Sequence, residues 1–514
     1  MQRDGARTSL WQFNMPPFPS PASAPPKEPV DVLIVGGGIT GITTALLLQL
    51  SGKQCVVAEA KTLCFGTTGG TTAHLNTLLD HPYNEISSKF GENNAQLMAK
   101  AAKEALQLIR TNIETYNIDC GFEEQNGYMF AQDEKQEKEL EEIRVATEKV
   151  GVPIQYTNEI PIPIPFTKAV VFKGQAKFHP ARYVYAVAKE FEKAGGIILQ
   201  GCRVTKTEKN EFMEATTKYG TIRARNIIWA THIPPGVTLL HFRCAPYRSY
   251  ATAIKLVGEN YPDGLIYDMY DPYHYYRTQN IDGEKYLIIG GEDHKTAHEK
   301  DTVACFRKLE SHINKFFEVD SIPFKWSSQY FEPTDGLPYI GHLPGNPDNV
   351  YVATGFGGNG MTCGTISAIL LSDILVKGKS EYQELFDPNR LKPIAGFTNF
   401  VKEQADVVGK MIGGWISSEK IKEVSEIAHG EAKVVKYEDH KIALYKDETG
   451  KLHAVNPVCP HAKCIVEWNT AEKSWDCPCH GSRFNADGIL LTGPASHDLE
   501  EVEIKDLVNE SQKK

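Results

Sequence analysis

The chain has 514 residues, with 55 Lys+Arg against 65 Asp+Glu for a net charge of −10, and is 41% hydrophobic and 10% aromatic. At roughly 150 residues per domain this is about three domains' worth of chain. The composition excludes a disordered acidic chain, a collagen-like repeat and a disulfide-dense mini-protein, and the acidic balance argues against a nucleic-acid or anionic-membrane binder, which needs excess Lys and Arg.

Residues 1–29 carry Arg3 and Arg7 and then Pro16, Pro17, Pro19, Pro21, Pro25, Pro26 and Pro29 where an export signal would have an apolar core. They read as a Pro-rich N-terminal extension. No apolar stretch reaches the roughly 20 residues that span a bilayer, so no membrane span is expected. A cytoplasmic location follows, in which thiols stay reduced.

Asp31-Val-Leu-Ile-Val35 is a continuous apolar run like a buried parallel strand, followed by Gly36-Gly-Gly-Ile-Thr-Gly41 and a helical run through Leu50. A second strand, Cys55-Val-Val-Ala58, ends at Glu59. This βαβ opening places a G-x-G-x-x-G turn in its dinucleotide-binding context. Gly36 and Gly38 let backbone approach a pyrophosphate, Gly41 lets the helix pack closely, and Glu59 suits a ribose hydroxyl.

Between 85 and 116, Leu97, Ala101, Ala105, Leu108 and Ile109 recur at helical spacing, and a charged helix is predicted over 133–150. Strands return at 197–204, 227–230, 286–289 and 350–353. The nucleotide domain is therefore expected to be discontinuous over 30–378, with substrate-domain insertions near 86–167 and 241–325. A polar connector over 379–425 leads to short strands at 432–437, 441–445 and 452–455, which predict a small all-β domain over 426–514.

Seven of the eleven cysteines are scattered singly, as small buried hydrophobes usually are. The rest cluster. Cys459-Pro-His461 and Cys477-Pro-Cys-His480 form C-x-H and, fifteen residues later, C-x-x-H. Two hooks that each offer one thiolate and one imidazole suit a Rieske 2Fe-2S centre, which wants two Cys on one iron and two His on the other. Structural zinc is the alternative, although zinc sites space their first pair by two to four residues.

Gly66-Thr-Thr-Gly-Gly-Thr-Thr72, Thr334-Asp-Gly-Leu-Pro-Tyr-Ile-Gly341 and Asn349-Val-Tyr-Val-Ala-Thr-Gly-Phe-Gly-Gly-Asn-Gly-Met361 complete a pattern over residues 30–378. There the chain resembles the D-amino-acid oxidase superfamily, which includes glycine and sarcosine oxidases. With the C-terminal hooks, the whole resembles a bacterial family of FAD-dependent oxidoreductases fused to a Rieske domain. The fold this implies is an α/β Rossmann-like FAD-binding domain with an interleaved α+β substrate domain, plus a C-terminal all-β Rieske domain.

The resemblance implies FAD held by Gly36, Gly38, Ile39, Thr40, Gly41, Glu59 and Ala60, with Thr67, Thr68 and Thr72 near the phosphates and ring. Val204 would present backbone to the adenine, and Ala230 and Thr231 would approach from the other side. Gly358, Gly360 and Met361 would start a helix whose dipole faces the flavin N1/C2 edge. Relatives can bind flavin covalently through Cys or His; Pro333-Thr334-Asp335 has no Cys and His74 is displaced by about one residue, so FAD is expected to be non-covalent. Cys459, His461, Cys477 and His480 would hold a Rieske 2Fe-2S cluster. Cys464 and Cys479 stand where Rieske proteins of the cytochrome bc type form a disulfide, and Ser482 would donate to a bridging sulfide. Phe484 replaces their Tyr and implies a lower potential.

The function implied is oxidation of a small amine or amino acid by hydride transfer to flavin N5. Electrons would then pass singly to the cluster and to an external acceptor such as a protein, a quinone or oxygen. The alternative is an electron-transfer component that shuttles electrons between carriers. Arg277, on a strand where relatives place a carboxylate-binding Arg, Tyr276 and Tyr250 are the catalytic candidates. Ser9-Leu-Trp11, Phe178-His-Pro180, Ala230-Thr-His232 and Gly290-Gly-Glu-Asp-His294 are further landmarks, with His179 and His232 read as structural. No second mononuclear-iron ligand set is evident, which disfavours a Rieske oxygenase.

Overall fold

A computed structural model describes residues 3–20, 24–390, 410, 419–420, 427–437 and 440–503. Most of the connector read over 379–425, and the chain after 503, lie outside the described residues.

The first sheet is built on Val30–Val35, which runs parallel to Cys55–Ala58 on one side and to Gly220–Trp229 on the other. Ile197–Leu199 extends it beyond Cys55–Ala58, while Val350–Thr354 and the antiparallel Tyr339–His342 complete the opposite edge. A strand covered on both faces must be apolar at consecutive positions. Val32 and Ile34 accordingly join the core under helix Ile39–Leu50, and Leu33 and Val35 join Met213, Ile222 and Trp229 beneath.

A second, nine-stranded sheet collects His74–Leu75, Glu123–Ala131, Ile154–Thr157 and Lys168–Lys177 from one pass of the chain, and the strands between Cys244 and Pro333 from another. Its two passes meet at the parallel pair Leu265–Tyr267 and Glu123–Ala131. Helix Thr302–Phe316 covers the face bearing Tyr250, Tyr276, Leu287 and Ile289. The opposite face looks toward the first sheet. The helical run expected from 85 to 116 is two helices, Tyr83–Phe90 and Glu92–Tyr116, interrupted where Gly91 leaves helical geometry at φ +93°. The charged helix is Glu134–Lys149, with Asp133 accepting from the Gln136 amide (2.8 Å) as its N-cap.

Helix Gly360–Lys377 is long and apolar enough to cross a bilayer, with mean hydropathy 1.3, but 61% of it is buried in protein. It packs against Ile39–Leu50 and Glu92–Tyr116 as a core helix. The C-terminal part holds two four-stranded sheets, one with Ala432–Tyr437, His440–Lys446 and Leu452–Val455, the other running from Glu467 to Thr492.

Residues 3–20, part of the Pro-rich N-terminal extension, are packed into the protein. Leu10, Trp11 and Phe18 are buried in the largest core. The Ser9 hydroxyl donates to the Gly69 carbonyl, the Trp11 indole to that of Thr71 and the Gln12 amide to that of Cys64 (3.0 Å). Prolines kept this segment from looking like a helix or strand; its aromatic anchors hold it by burial instead.

The same segment reaches the C-terminal sheets through buried charge. Arg483 pairs with Asp4 (3.2 Å) and Asp476 (3.1 Å), while Glu472 lies within 3.9 Å of both Arg3 and Arg248 and accepts from the Ser327 amide (2.9 Å). These six charged side chains are at most 4% exposed where their pairs are formed.

Candidate functional site

The turn after Val30–Val35 brings helix Ile39–Leu50 down onto it. A Cβ on Gly41 would stand 2.0 Å from the Gly36 carbonyl oxygen and 3.3 Å from Ile34 Cγ2, so this crossing admits no side chain. Gly38 leaves the helix start without a side-chain cap, and its first amides are open to a ligand apart from Ile39, which donates to Thr68 Oγ1 (3.2 Å). Glu59, at the end of the next strand, accepts from the Gly37 (2.7 Å) and Lys61 (2.8 Å) amides. Burial raises its pKa, and those two amides oppose the rise.

These groups open onto a cleft of about 290 Å³. It continues toward the second sheet, where Ser249, Ala251, Tyr267, Tyr273, Tyr275 and Tyr330 form the wall. Asp80 enters from the loop before Tyr83–Phe90. Its carboxylate accepts from the Gly358 amide (2.8 Å) and the Tyr273 hydroxyl (3.1 Å). Asp293 accepts from the Tyr330 hydroxyl (2.9 Å), while its other carboxylate oxygen is buried with no partner. Burial pushes the Asp293 carboxyl up to about 7, and burial with Glu332 raises Asp80. Leu490, Thr492 and Ser496, from the C-terminal sheets, close another side of the same cleft.

Beyond that wall lie the two Cys/His hooks. Cys459 bonds Cys464 backbone to backbone (2.8 Å) and Cys477 bonds Ser482 likewise (2.8 Å), so each hook is a tight loop. The Cys459 and Cys477 thiols are both buried and face each other, and the contact lowers the pKa of Cys459 while raising that of Cys477. His461 and His480 stand edge to face with ring centroids 4.9 Å apart. Cys464 and Cys479 are joined in a disulfide. His461 Nε2 meets the Gly236 carbonyl (3.0 Å), six residues along from the cleft-lining Ala230. His241 packs its ring 4.7 Å from that of His461.

A family model described as FAD dependent oxidoreductase (DAO) matches residues 31–374, and one described as Rieske [2Fe-2S] domain matches residues 417–503. The chain belongs to the FAD dependent oxidoreductases. It is 35% identical over 477 residues to a Rieske 2Fe-2S iron-sulfur protein of Bacillus subtilis (strain 168), YhfW, covering 92% of this chain and 93% of that one. It is 24% identical over 371 residues to gamma-glutamylputrescine oxidoreductase of Escherichia coli (strain K12), covering 69% and 85%. Glycine oxidase from Geobacillus kaustophilus shares the fold, with TM-score 0.58 at 18% identity over 71% of this chain and 100% of that one.

The residues of this FAD dependent oxidoreductase fit both cofactors of its two domains. Every FAD-binding position expected from the sequence lines the cleft, except Gly41, which sits behind it supporting the helix start. Around the hooks, His461 Nδ1 and both ring nitrogens of His480 are buried without hydrogen-bond partners beside two thiols, an orphaned donor set that suits iron. One detail differs from expectation, and another adds to it. The Gly358 amide is taken by Asp80, an acid drawn to the start of helix Gly360–Lys377. Ser482 Oγ accepts from the Ala495 amide (3.0 Å) as well as bonding Cys459.

The three catalytic candidates stand outside the cleft. Tyr250 stands between the cleft-lining Ser249 and Ala251, and Tyr276 follows the cleft-lining Tyr275, so both point to the other face, where they bond His294 (2.9 Å) and His312 (2.6 Å). Arg277 shares the face of Tyr275 but lies past the cleft, donating to the Thr72 carbonyl (2.9 Å) and those of Ala73 and Phe178, with its guanidinium 5.3 Å from the Trp11 ring centre. It is a fastener of backbone. His74 and His232 do line the cleft, whereas His179 caps helix Pro180–Lys193 by accepting from the Arg182 amide (3.2 Å).

Asp268, His274 and His312 also bring their side-chain ligand atoms within 4.8 Å. Their geometry is that of a hydrogen-bonded stack. The two rings lie parallel, 3.9 Å apart, so their in-plane lone pairs do not converge, and Asp268 (2.8 Å) and Tyr276 (2.6 Å) each occupy a ring nitrogen.

Proposed function

We propose that the chain is an FAD-dependent dehydrogenase or oxidase of a small amine or amino acid whose electrons pass singly to the Rieske cluster and then to an external acceptor. One observation carries this reading: the Rieske part walls the flavin cleft through Leu490, Thr492 and Ser496. The segment that lines the cleft from Ala230 to Pro235 then offers its next carbonyl, Gly236, to His461. The two relatives named for their substrates, a glycine oxidase and a gamma-glutamylputrescine oxidoreductase, act on amines, which supports the substrate class.

Bound FAD accepts an electron pair and can release electrons one at a time, as the cluster requires. In this reading the chain's own residues position both groups. The amides at the start of helix Ile39–Leu50 that no protein group takes, those of Gly38 and Thr40, meet the pyrophosphate and Glu59 accepts from the ribose. Thr67, Thr68 and Thr72 stand by the phosphates and ring. Val204 backs the adenine, and Gly360 and Met361 present helix-start amides to the flavin edge. Cys459 with Cys477, and His461 with His480, supply the two halves of the cluster's ligand set.

Cys459→Ser is expected to abolish the Rieske electron paramagnetic resonance signal while FAD stays bound. Substrate reduction of the flavin in a single anaerobic turnover should be nearly unchanged, and repeated turnover with a one-electron acceptor should slow. Wild-type multiple turnover without the cluster would remove the Rieske domain from the electron path. Flavin reduced only by a protein partner or NADH, and by no amine or amino acid, would favour a carrier instead.

A further inference from the structure

The geometry points to a substrate that is a cationic amine bearing no carboxylate at the reacting end, held by Asp293 and Asp80 within a wall of tyrosines. This rests on the amine-oxidising reading above and narrows it.

Charge decides the matter. Among the described residues lining the cleft, the one guanidinium is Arg203 and no lysine is present. Arg203 belongs to the nucleotide end, where it faces Glu59 and donates to the Leu490 carbonyl (2.8 Å). Arg277 is spent on backbone carbonyls. Burial holds His232 down to about 4 and, with Arg277, His74 well below its ordinary value, so both are neutral. His81 is cationic, but it does not line this cleft and is engaged by Glu332 and Glu85. An amino-acid carboxylate would thus enter a partly desolvated space beside two acid side chains, with no guanidinium or ammonium lining that end of the cleft to receive it.

An ammonium finds the opposite. The second Asp293 oxygen is buried with no hydrogen bond made to it, the nearby Ser249 hydroxyl being shared with that of Tyr275 (2.7 Å), and N–H groups supply the missing donor. Tyr273 and Tyr275, with rings 5.7 Å apart, and Tyr330, which holds the other Asp293 oxygen, add aromatic faces that attract a cation. The chemistry is consistent. Asp293 takes the ammonium proton, leaving a nitrogen lone pair. The α-carbon–hydrogen bond then breaks, the hydrogen leaving with the bond's electron pair as hydride to FAD, the oxidant, while the lone pair forms the C=N bond of an iminium. Water subsequently converts the iminium to a carbonyl compound and the free amine or ammonia.

The test uses the holoprotein with two unreactive probes and two reactive panels. Titration of the oxidised flavin spectrum should show n-butyltrimethylammonium, which has no lone pair to drive C–H cleavage, binding at least roughly tenfold more tightly than butyrate. Under anaerobic conditions, n-butylamine, N-methylbutylamine or putrescine should bleach the flavin faster than glycine, sarcosine, D-alanine or L-proline. Asp293→Asn should weaken the cation titration by roughly tenfold at unchanged FAD content. The wild-type comparisons stand by themselves if that variant does not fold. Tighter butyrate binding, or faster bleaching by the amino acids, overturns this substrate class and leaves the broader reading intact. Bleaching by neither panel in protein whose flavin dithionite reduces overturns both.

Discussion

Gly41→Val is expected to give protein that purifies almost without flavin absorbance while keeping its Rieske signal. A Cβ at this position would lie 2.0 Å from the Gly36 carbonyl oxygen and 3.1 Å from its carbon, both backbone atoms that cannot rotate aside. Valine adds two further methyl groups. The start of helix Ile39–Leu50 must therefore retreat by more than an ångström from the strand it packs on. Overpacking of this kind costs about 1–3 kcal/mol in stability, which a chain of this size can absorb. The larger effect falls on the ligand, because the retreating amides are the ones offered to the pyrophosphate. The FAD-to-protein ratio should fall by at least roughly tenfold, equivalent to about 1.4 kcal/mol of binding. Full flavin retention in the variant would mean that the glycine turn does not carry the nucleotide.

Arg483→Met is expected to be the most destabilising single change at the junction of the Rieske part with the rest. The guanidinium lies between Asp4 and Asp476 and also donates to Ser474 Oγ (3.2 Å). Methionine fills a similar volume but leaves two buried carboxylates short of a partner, and breaking a buried pair this way costs about 3–5 kcal/mol. Scanning calorimetry should show a midpoint lowered by roughly 6–20 °C, at about 2–4 °C per kcal/mol. The same pair sets an acid limit. Burial alone would raise Asp4, but Arg483, Arg3 and Arg248 hold it below its ordinary 3.8. A depressed carboxylate stabilises the fold at neutral pH, and that contribution is lost as pH falls below 3.8 toward the folded-state value. The variant should be less stable at pH 7 and should lose less of its remaining stability on acidification. An unchanged midpoint at pH 7 would show that Arg483 does not fasten the junction.

What could be read from the sequence is what is written locally. The glycine turn needs only the strand before it and the helix after it, and the Cys/His hooks are two short loops, so both appear as fixed spacings. The acid pair does not. Asp80 and Asp293 come from different passes of the chain; Asp80 belongs to no motif, and Asp293 stands in the Gly290–His294 landmark with nothing to pair it with Asp80 until the sheet brings both to one cleft. Tyr250, Tyr276 and Arg277 were misplaced for a related reason. Neighbouring strand residues face opposite sides, so naming the strand without its register leaves the side undecided. The register slips between Arg248 and Tyr250 in particular, where the strand is irregular. Ser9-Leu-Trp11 stands out in residues 3–20, but nothing in a proline-rich run specifies the distant surface that buries its tryptophan.

The pairing of Asp4 with Arg483 has a consequence for how the protein is made. The two residues are 479 positions apart in the chain. At 5–20 residues per second, synthesis leaves Asp4 waiting roughly 25–95 s before its partner exists. The opening segment therefore cannot finish docking when it emerges, however early the nucleotide sheet forms. Its buried charges are completed by a domain translated after the nucleotide sheet, so that closing this clasp follows that domain's folding, and a chain halted before the Rieske domain would expose an acid side chain and the groove meant to cover it.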